Sequence, residues 1–313
     1  MNQKQKKEIR NMLSSHISFD EPLAKYTTFG IGGPAKCMVY PENRNELSSI
    51  LRYAHNNKIP IIFIGSGSNL LIWDDGFDGF VISLRKTFKE LSIRQNATIT
   101  VQSGVMLGTM VKESIHNQIC GLESLVGVPG TVGGALIMNA GSFGGEISKY
   151  FVEAKTMTLE GDIKTYSKRN VEFSYRHSTF PTDEILIEAT FKCKKGNPDK
   201  ILEDKKIASQ GRKSTQPLKY RSAGSIFKNP SKKLAAGYLI DQAGLKGTNY
   251  GGASISDKHA NFIVNMGNAT AADVLHLIVL ARQKVAEKYN IYLELEIKLI
   301  GFPEKMIQKI NYA

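Results

Sequence analysis

Residues 127–141 read Gly-Val-Pro-Gly-Thr-Val-Gly-Gly-Ala-Leu-Ile-Met-Asn-Ala-Gly, and five of these fifteen residues are glycine. Glycine admits positive φ and lets a backbone lie against another surface with no Cβ in the way. Pro129-Gly130 marks a tight turn. The apolar run 135–138 then re-enters a core. A bare backbone loop held between buried segments can turn successive N–H groups on a phosphate. An ordinary glycine-rich bend fits the spacing equally well, because the pattern is neither G-x-G-x-x-G nor a P-loop.

A second stretch narrows the reading. Residues 61–64, Ile-Ile-Phe-Ile, are apolar and rich in β-branched side chains, so they read as a buried strand. That strand opens directly into Gly65-Ser66-Gly67-Ser68-Asn69, where N–H and hydroxyl donors converge as a pyrophosphate requires. A third loop, Phe29-Gly30-Ile31-Gly32-Gly33, lies upstream. Three such loops in one chain suggest a single large anionic ligand wrapped by backbone.

Taken with Thr27-Thr28 and Pro34-Ala35, these loops resemble the FAD loops of the UDP-N-acetylenolpyruvoylglucosamine reductase (MurB) family. The family carries an FAD domain of the vanillyl-alcohol-oxidase, or PCMH, type. The likeness continues in order through Ser174-Tyr-Arg-His-Ser178, Gly224-Ser-Ile-Phe-Lys-Asn-Pro230, Leu239-Ile-Asp-Gln-Ala-Gly-Leu245 and Leu293-Glu-Leu-Glu-Ile-Lys-Leu-Ile-Gly301. It spans roughly residues 20 to 301. Each motif alone is weak, and the ordered set is specific.

Composition sets outer limits. A chain of 313 residues is long enough for two or three domains, and 42% hydrophobic residues suffice for sizeable cores. No apolar run approaches the ~20 residues that span a bilayer. The basic N-terminal segment lacks the apolar region of a signal peptide, so a cytoplasmic protein is expected. Cys37, Cys120 and Cys193 are widely spaced, which favours free thiols over a disulfide framework or a zinc site. No metal is expected. The formal charge of +12 raises nucleic-acid binding as a rival. The basic residues are scattered, however, without a zinc-finger spacing or an aromatic-basic strand motif. A solvated surface that steers anionic ligands accounts for them. No nucleic-acid or membrane partner is expected, and the chain reads as a monomer.

The expected fold is α+β: a two-lobed PCMH-type FAD-binding domain followed by a smaller α+β substrate-binding domain. The boundaries are read at 1–85 for the first lobe, 86–205 for the second and 206–313 for the substrate domain. Leu47, Ile50, Leu51 and Ala54 predict a helix over 46–56 with one buried face. Strands are read at 35–40, 61–64, 79–84 and 185–192. Hairpins are read at 91–103, around Asn96, and at 152–167, around Glu160-Gly161-Asp162. Helices are read at 3–13, 107–119, 200–213, 234–243 and 271–289, the last capped by Thr270 or Asn268. A closing strand is read over 292–300, with Leu293, Leu295, Ile297 and Leu299 inward and Glu294, Glu296 and Lys298 outward.

From the residues alone, those outward charges are a solvated face. Arg176 is a surface residue or a clamp for a carboxylate, to which a guanidinium offers paired donors. Ser225 after Gly224 reads as a turn residue, since there is no Ser-His-Asp order and no G-x-S-x-G elbow. The resemblance raises all three. It implies Ser225 as proton donor, Glu296 as the active-site glutamate and Arg176 as a charge stabiliser. Tyr175, Lys228 and Asn229 are implied as substrate contacts. The implied cofactor contacts are Phe29, Gly30, Gly32, Gly33, Gly65, Ser66, Gly67, Ser68, Asn69, Gly127, Pro129, Gly130, Thr131, Gly133, Gly134 and Asn139. His177 and His259 are left without a role.

The activity implied by the resemblance is NADPH-dependent reduction of UDP-N-acetylglucosamine enolpyruvate to UDP-N-acetylmuramate, on non-covalent FAD, in peptidoglycan synthesis. One branch of the family inserts a tyrosine-bearing lid after the Tyr-Arg motif. Here only residues 177–184 precede the next strand, so the chain resembles the branch without it. Two other readings stay open: a related FAD-dependent oxidase or dehydrogenase acting on an alcohol or sugar lactone, and a basic binding protein without catalysis.

Overall fold

The computed structural model describes residues 1–13 and 16–311. Its helices are α1 (Gln3–Met12), α2 (Arg44–Asn56), α3 (Leu107–His116), α4 (Val132–Ile137), α5 (Pro198–Thr215), α6 (Ala236–Gln242), α7 (Ala271–Tyr289) and α8 (Glu304–Asn311). With the strands between them they form the expected α+β fold. No helix among the described residues is long and apolar enough to cross a membrane. The chain divides into two compact units. One comprises Met1–Asp20, Lys36–Ser66 and Gly79–Arg212, and the other Glu21–Ala35, Gly67–Asp78 and Lys213–Ala313.

The first unit has two cores. In one, α2 turns Leu47, Ile50, Leu51 and Ala54 inward, all fully buried, against Cys37, Val39, Phe80 and Ile82. Asn43 starts that helix by accepting from the Glu46 N–H at 3.0 Å. Phe80 and Ile82 come from a strand that pairs in parallel with Ile61–Phe63. The other core lies on an antiparallel sheet ordered Ile163–Ser167, Phe151–Met157, Ile185–Lys192, Thr98–Gln102, Leu91–Ile93. Both hairpins expected from turn chemistry are there. Ile99, Val101, Ala154, Ala189 and Phe191 pack with residues of α3 and α4. The closing turn of the glycine stretch is thus a short helix against this sheet, where the sequence suggested only an apolar re-entry.

The second unit is built on α7. Thr270 and Asp273 form a capping box, and Asn290 ends the helix in the left-handed region at φ 53°. Asp74 adds a second cap, accepting from Ala271 N at 2.8 Å and Ala272 N at 3.1 Å. Val274, Leu277, Ile278, Ala281 and Val285 pack with Phe29, Ile31, Leu71 and Phe227. These contacts explain why the compact units depart from the 1–85, 86–205 and 206–313 division. Residues 21–35 and 67–78 group with the C-terminal part because their apolar side chains fill its core. Strand Leu70–Ile72 also pairs in parallel with Lys298–Ile300.

The closing strand is shorter than its alternation suggests. Only Lys298–Ile300 forms a ladder, because residues 294–296 bond instead to residues 226–228. Leu293 and Ile297 are buried and Glu294 and Lys298 exposed as the period requires, but Glu296 is half-buried.

A buried carboxylate stiffens the edge of the five-stranded sheet. Glu184 accepts from Lys164 Nζ at 2.8 Å, Tyr166 OH at 3.0 Å and Thr156 Oγ1 at 2.5 Å. Burial pushes its carboxyl up, but these hydrogen bonds outweigh burial and hold it below the ordinary carboxylate range. A carboxyl depressed in the folded state contributes stability above its unfolded value and loses it as pH falls through the folded value. Glu184→Gln should therefore cost roughly 1–3 kcal/mol at neutral pH. It should also lose stability less steeply than the parent below about pH 5. Urea unfolding of both proteins at neutral and acid pH tests this; parallel losses would refute it.

Candidate active site

In the first unit the glycine stretch is anchored on both sides. Leu107 N donates to Gly130 O at 2.9 Å, Val132 N to Val105 O at 2.8 Å and Gly133 N to Ser103 O at 3.0 Å. Thr131 is buried and caps α4 by accepting from Gly134 N. Several N–H groups expected to face a phosphate thus serve the protein itself. Gly133 has a packing role, since a Cβ there would stand 2.8 Å from Ser103 Cβ. Gly127 and Gly130 hold positive φ, 74° and 146°, and shape the loop. Gly65 of the second loop abuts the Thr131 hydroxyl, 2.5 Å from where a Cβ would sit.

In the second unit the first loop is closed on itself. Thr27 Oγ1 donates to Ile31 O at 2.9 Å and accepts from Ile31 N at 3.2 Å. Phe29 is fully buried, and its carbonyl accepts from Asn265 Nδ2 at 3.0 Å. Its side chain anchors the loop in the core. Gly30, Gly32 and Gly67 hold φ of 68°, 143° and 63°. A Cβ on Gly33 would stand 2.1 Å from Asp74 O, and one on Gly67 2.1 Å from Tyr26 O. Gly33 and Gly67 thus permit backbone to pack on backbone. Asn69 Nδ2 donates to Glu296 O at 2.9 Å, and Lys298 N donates to Asn69 O at 2.9 Å. Asn69 thereby joins the end of the second loop to the segment that carries Glu296. Ser66 is buried and Ser68 half-buried.

Arg176 lies at the tip of a hairpin whose strands are Phe173–Ser174 and His177–Ser178. It holds φ 55°, a left-handed conformation unusual for a residue with a long side chain. Its guanidinium stacks over the exposed Tyr175 ring at 5.1 Å. Nη1 lies 3.2 Å from where a Cβ on Gly141 would be, so the glycine stretch leaves room for it. Two side chains tie this hairpin to the end of α4. Ser178 Oγ donates to Ile137 O at 2.7 Å, and Asn139 Nδ2 to Ser174 O at 2.9 Å. Asn139 is thus a link between the glycine stretch and Arg176.

Ser225 and Glu296 are brought close by the backbone of the second unit. Glu296 N donates to Ile226 O at 2.8 Å, and Lys228 N to Glu294 O at 2.8 Å. Ser225 is half-buried beside Gly224, which has φ 77° and open space on its Cβ side. Lys228 Nζ pairs with Glu294 Oε1 at 2.5 Å, so Glu294 is the partner of that ammonium. Asn229 Oδ1 accepts from Ala236 N at 3.0 Å and caps α6.

Sequence reasoning missed two arginines. In the first unit Arg212 is half-buried, with its side chain 3.1 Å from a Cβ on Gly127 and Nη2 donating to Ser142 Oγ at 3.1 Å. Burial lowers its pKa. In the second unit Arg221 Nη1 lies 2.4 Å from a Cβ on Gly30. Each guanidinium therefore covers a glycine of a loop. Arg212 lies in the helix read over 200–213, and no sequence signal marked Arg221. In each unit, positive-φ glycines, serine hydroxyls and a guanidinium form a donor set that fits phosphate groups.

Comparison with known proteins narrows this phosphate-binding chemistry to a flavoprotein. Residues 35–167 match an FAD binding domain, and residues 216–300 match the C-terminal domain of UDP-N-acetylenolpyruvoylglucosamine reductase. Proteins of that name from Streptococcus uberis and Lactobacillus helveticus are 41% and 40% identical to this chain. The alignments cover 96% and 94% of it and 99% of each relative. The solved reductase from Thermus caldophilus is 35% identical, with a TM-score of 0.77 over 92% of this chain and 99% of that one. The chain belongs to the UDP-N-acetylenolpyruvoylglucosamine reductase family.

Two glycines of one loop should respond oppositely. Gly130→Val forces a branched side chain onto φ 146° and should yield a protein without flavin colour. Gly134→Ala adds a Cβ 3.7 Å from Thr131 Oγ1, an ordinary contact inside a helix, and should keep it. Flavin absorbance per chain decides, and equal flavin content in both would refute the assignment.

Proposed function

We propose that this protein reduces UDP-N-acetylglucosamine enolpyruvate to UDP-N-acetylmuramate with NADPH, using bound FAD, in peptidoglycan synthesis. The observation that carries this reading is the Glu296 N–H bond to Ile226 O, which joins the two motifs bearing Ser225 and Glu296 in a chain of this family. When bound, FAD supplies hydride transfer between the nicotinamide and the enolpyruvyl methylene carbon, and the protein supplies position and electrostatics.

The loops 29–33, 65–69 and 127–134 are the parts of the chain assigned to holding the cofactor. In the first unit, Arg212 over Gly127 supplies positive charge to its loop; in the second, Arg221 over Gly30 does the same. Arg176 is assigned to the substrate carboxylate. Its planar donors match that group, and the Asn139 and Ser178 ties hold the hairpin that presents it. Glu296 is assigned to the charge that develops on the enolpyruvyl group, as a hydrogen-bonding side chain held by two backbone bonds. Ser225 delivers the proton. Its O–H bond breaks as a C–H bond forms on the carbon next to the carboxylate, and water restores the hydroxyl. A serine hydroxyl is a weak acid, but an enolate is a strong base, and the open side of Gly224 leaves space for it. Tyr175, Lys228 and Asn229 are assigned to the substrate; Lys228 acts from its pair with Glu294.

We place the reaction in the cytoplasm, where the free thiols of Cys37, Cys120 and Cys193 stay reduced. We take the protein to act as a monomer. The scattered positive charge suits phosphate-bearing ligands.

The two half-reactions separate these roles. Ser225→Ala should bind FAD and accept hydride from NADPH at a near-normal rate, yet be oxidised by UDP-N-acetylglucosamine enolpyruvate about a hundredfold more slowly. Arg176→Ala and Glu296→Gln should slow the same second step by ~10²–10³. Rapid-mixing absorbance of each half-reaction measures this. A variant that loses only NADPH-dependent reduction removes its residue from the enolpyruvyl step. Denaturation should release the yellow chromophore into solution; colour kept on the precipitated chain would refute non-covalent binding.

A further inference from the structure

Three hydrogen bonds converge on residues 226–227 from one residue that no motif singles out. Asn261 O accepts from Ile226 N at 2.8 Å. Asn261 Oδ1 accepts from Phe227 N at 2.9 Å, and Asn261 Nδ2 donates to Phe227 O at 2.8 Å. The side-chain amide thus engages both polar groups of one peptide residue, as a neighbouring strand would. On the opposite edge the same short segment meets residues 294–296, with Glu296 N bonded to Ile226 O. Ser225 directly precedes this doubly held segment, and Glu296 belongs to its partner.

Asn261 is itself fixed. It is 3% exposed, its N–H donates to His259 Nδ1 at 3.2 Å, and Phe262 N donates to His259 O at 2.9 Å. Burial lowers the His259 pKa, which favours the neutral ring that this acceptor role requires. A Cβ on Gly237 of α6 would stand 3.0 Å from the His259 ring. The amide therefore has little freedom to turn.

We propose that Asn261 is a positioning residue for proton delivery, setting the place of Ser225 relative to Glu296 through residues 226–227. This inference rests on the reading of Ser225 as the proton donor. The amide is specific in kind. Aspartate keeps the acceptor toward Phe227 N but turns a negative oxygen on Phe227 O; leucine keeps the volume and offers neither bond.

The test uses the flavin-loaded full chain with Asn261→Asp, Asn261→Leu, Ser225→Ala and the double variant Asn261→Leu/Ser225→Ala. Flavin content and NADPH-dependent reduction should stay near parental values. Oxidation by UDP-N-acetylglucosamine enolpyruvate should slow about tenfold to a hundredfold in both Asn261 variants. In Asn261→Asp the deficit relative to the parent should shrink as pH falls, because the protonated carboxyl regains a donor toward Phe227 O. The double variant should be no slower than Ser225→Ala alone, since positioning a missing hydroxyl has no value. Loss of flavin from both variants, equal slowing of both half-reactions, a pH-independent Asn261→Asp deficit, or multiplying defects in the double variant would each overturn the proposal. Should Ser225→Ala itself be oxidised at the normal rate, the fault lies with the role of Ser225 and is seen as such.

Discussion

The Ile226 carbonyl accepts the Glu296 N–H, and much of the second unit exists to keep that bond in place. A lone backbone hydrogen bond contributes little net stability, about 0.5–1.5 kcal/mol. It positions two side chains reliably only when the segments on either side cannot slide. Phe227 is almost fully buried among residues of α6 and α7, and Leu293 and Ile297 bracket the other segment in the same core. Asn69 then bonds Glu296 O, while its own carbonyl takes Lys298 N. Burial supplies the energy here, and hydrogen bonds set the register.

The glycines divide into two physical kinds. Gly33, Gly67 and Gly76 sit where a Cβ would lie about 2 Å from another backbone atom, so they permit chain to pack on chain. Gly67 and Gly76 also hold positive φ, and at Gly127 and Gly130 positive φ shapes the loop itself. The distinction matters because both kinds look alike in a string of letters. The apolar residues between them are equally informative. Phe29 and Ile31 anchor their loop in the second unit's core, so its conformation belongs to the folded scaffold. A loop fixed in this way incurs little ordering entropy when a ligand arrives.

Local pattern made most regular elements legible. Strand Ile185–Lys192 and helix Ala271–Tyr289 have the ends their periodicity and capping residues indicate. The closing strand did not follow its alternation, because period two reports which side chains face a core and not which backbone they pair with. Residues 294–296 bond to 226–228 across a long sequence separation, and no local signal carries that. The same limit hid the grouping of residues 21–35 and 67–78 with the C-terminal part. The candidate site was legible chiefly as a family resemblance. Residue type alone left Arg176 as a surface residue or a carboxylate clamp, Ser225 as a turn and Glu296 as part of a solvated face. Asn229 also has a structural task that no local pattern indicated: its side chain accepts from Ala236 N at the start of α6.

Charge follows the same division between what composition reports and what placement decides. A formal +12 spread over the surface gives a long-range pull on phosphates, screened beyond about 10 Å at moderate ionic strength. It cannot select among anions. Selection needs cations that are desolvated and fixed, because a guanidinium removed from water interacts more strongly and with fewer alternative geometries. Arg212 meets that condition: it is half-buried, covers Gly127, and donates to Ser142. Arg176 is half-buried and is fixed differently, by a left-handed backbone at a two-residue turn and the stack on Tyr175. Each arginine is adjacent to a glycine that provides room for its side chain, Gly127 in one case and Gly141 in the other. The missing Cβ and the guanidinium are two parts of one device, in which the glycine makes the space and the arginine fills it with directed charge.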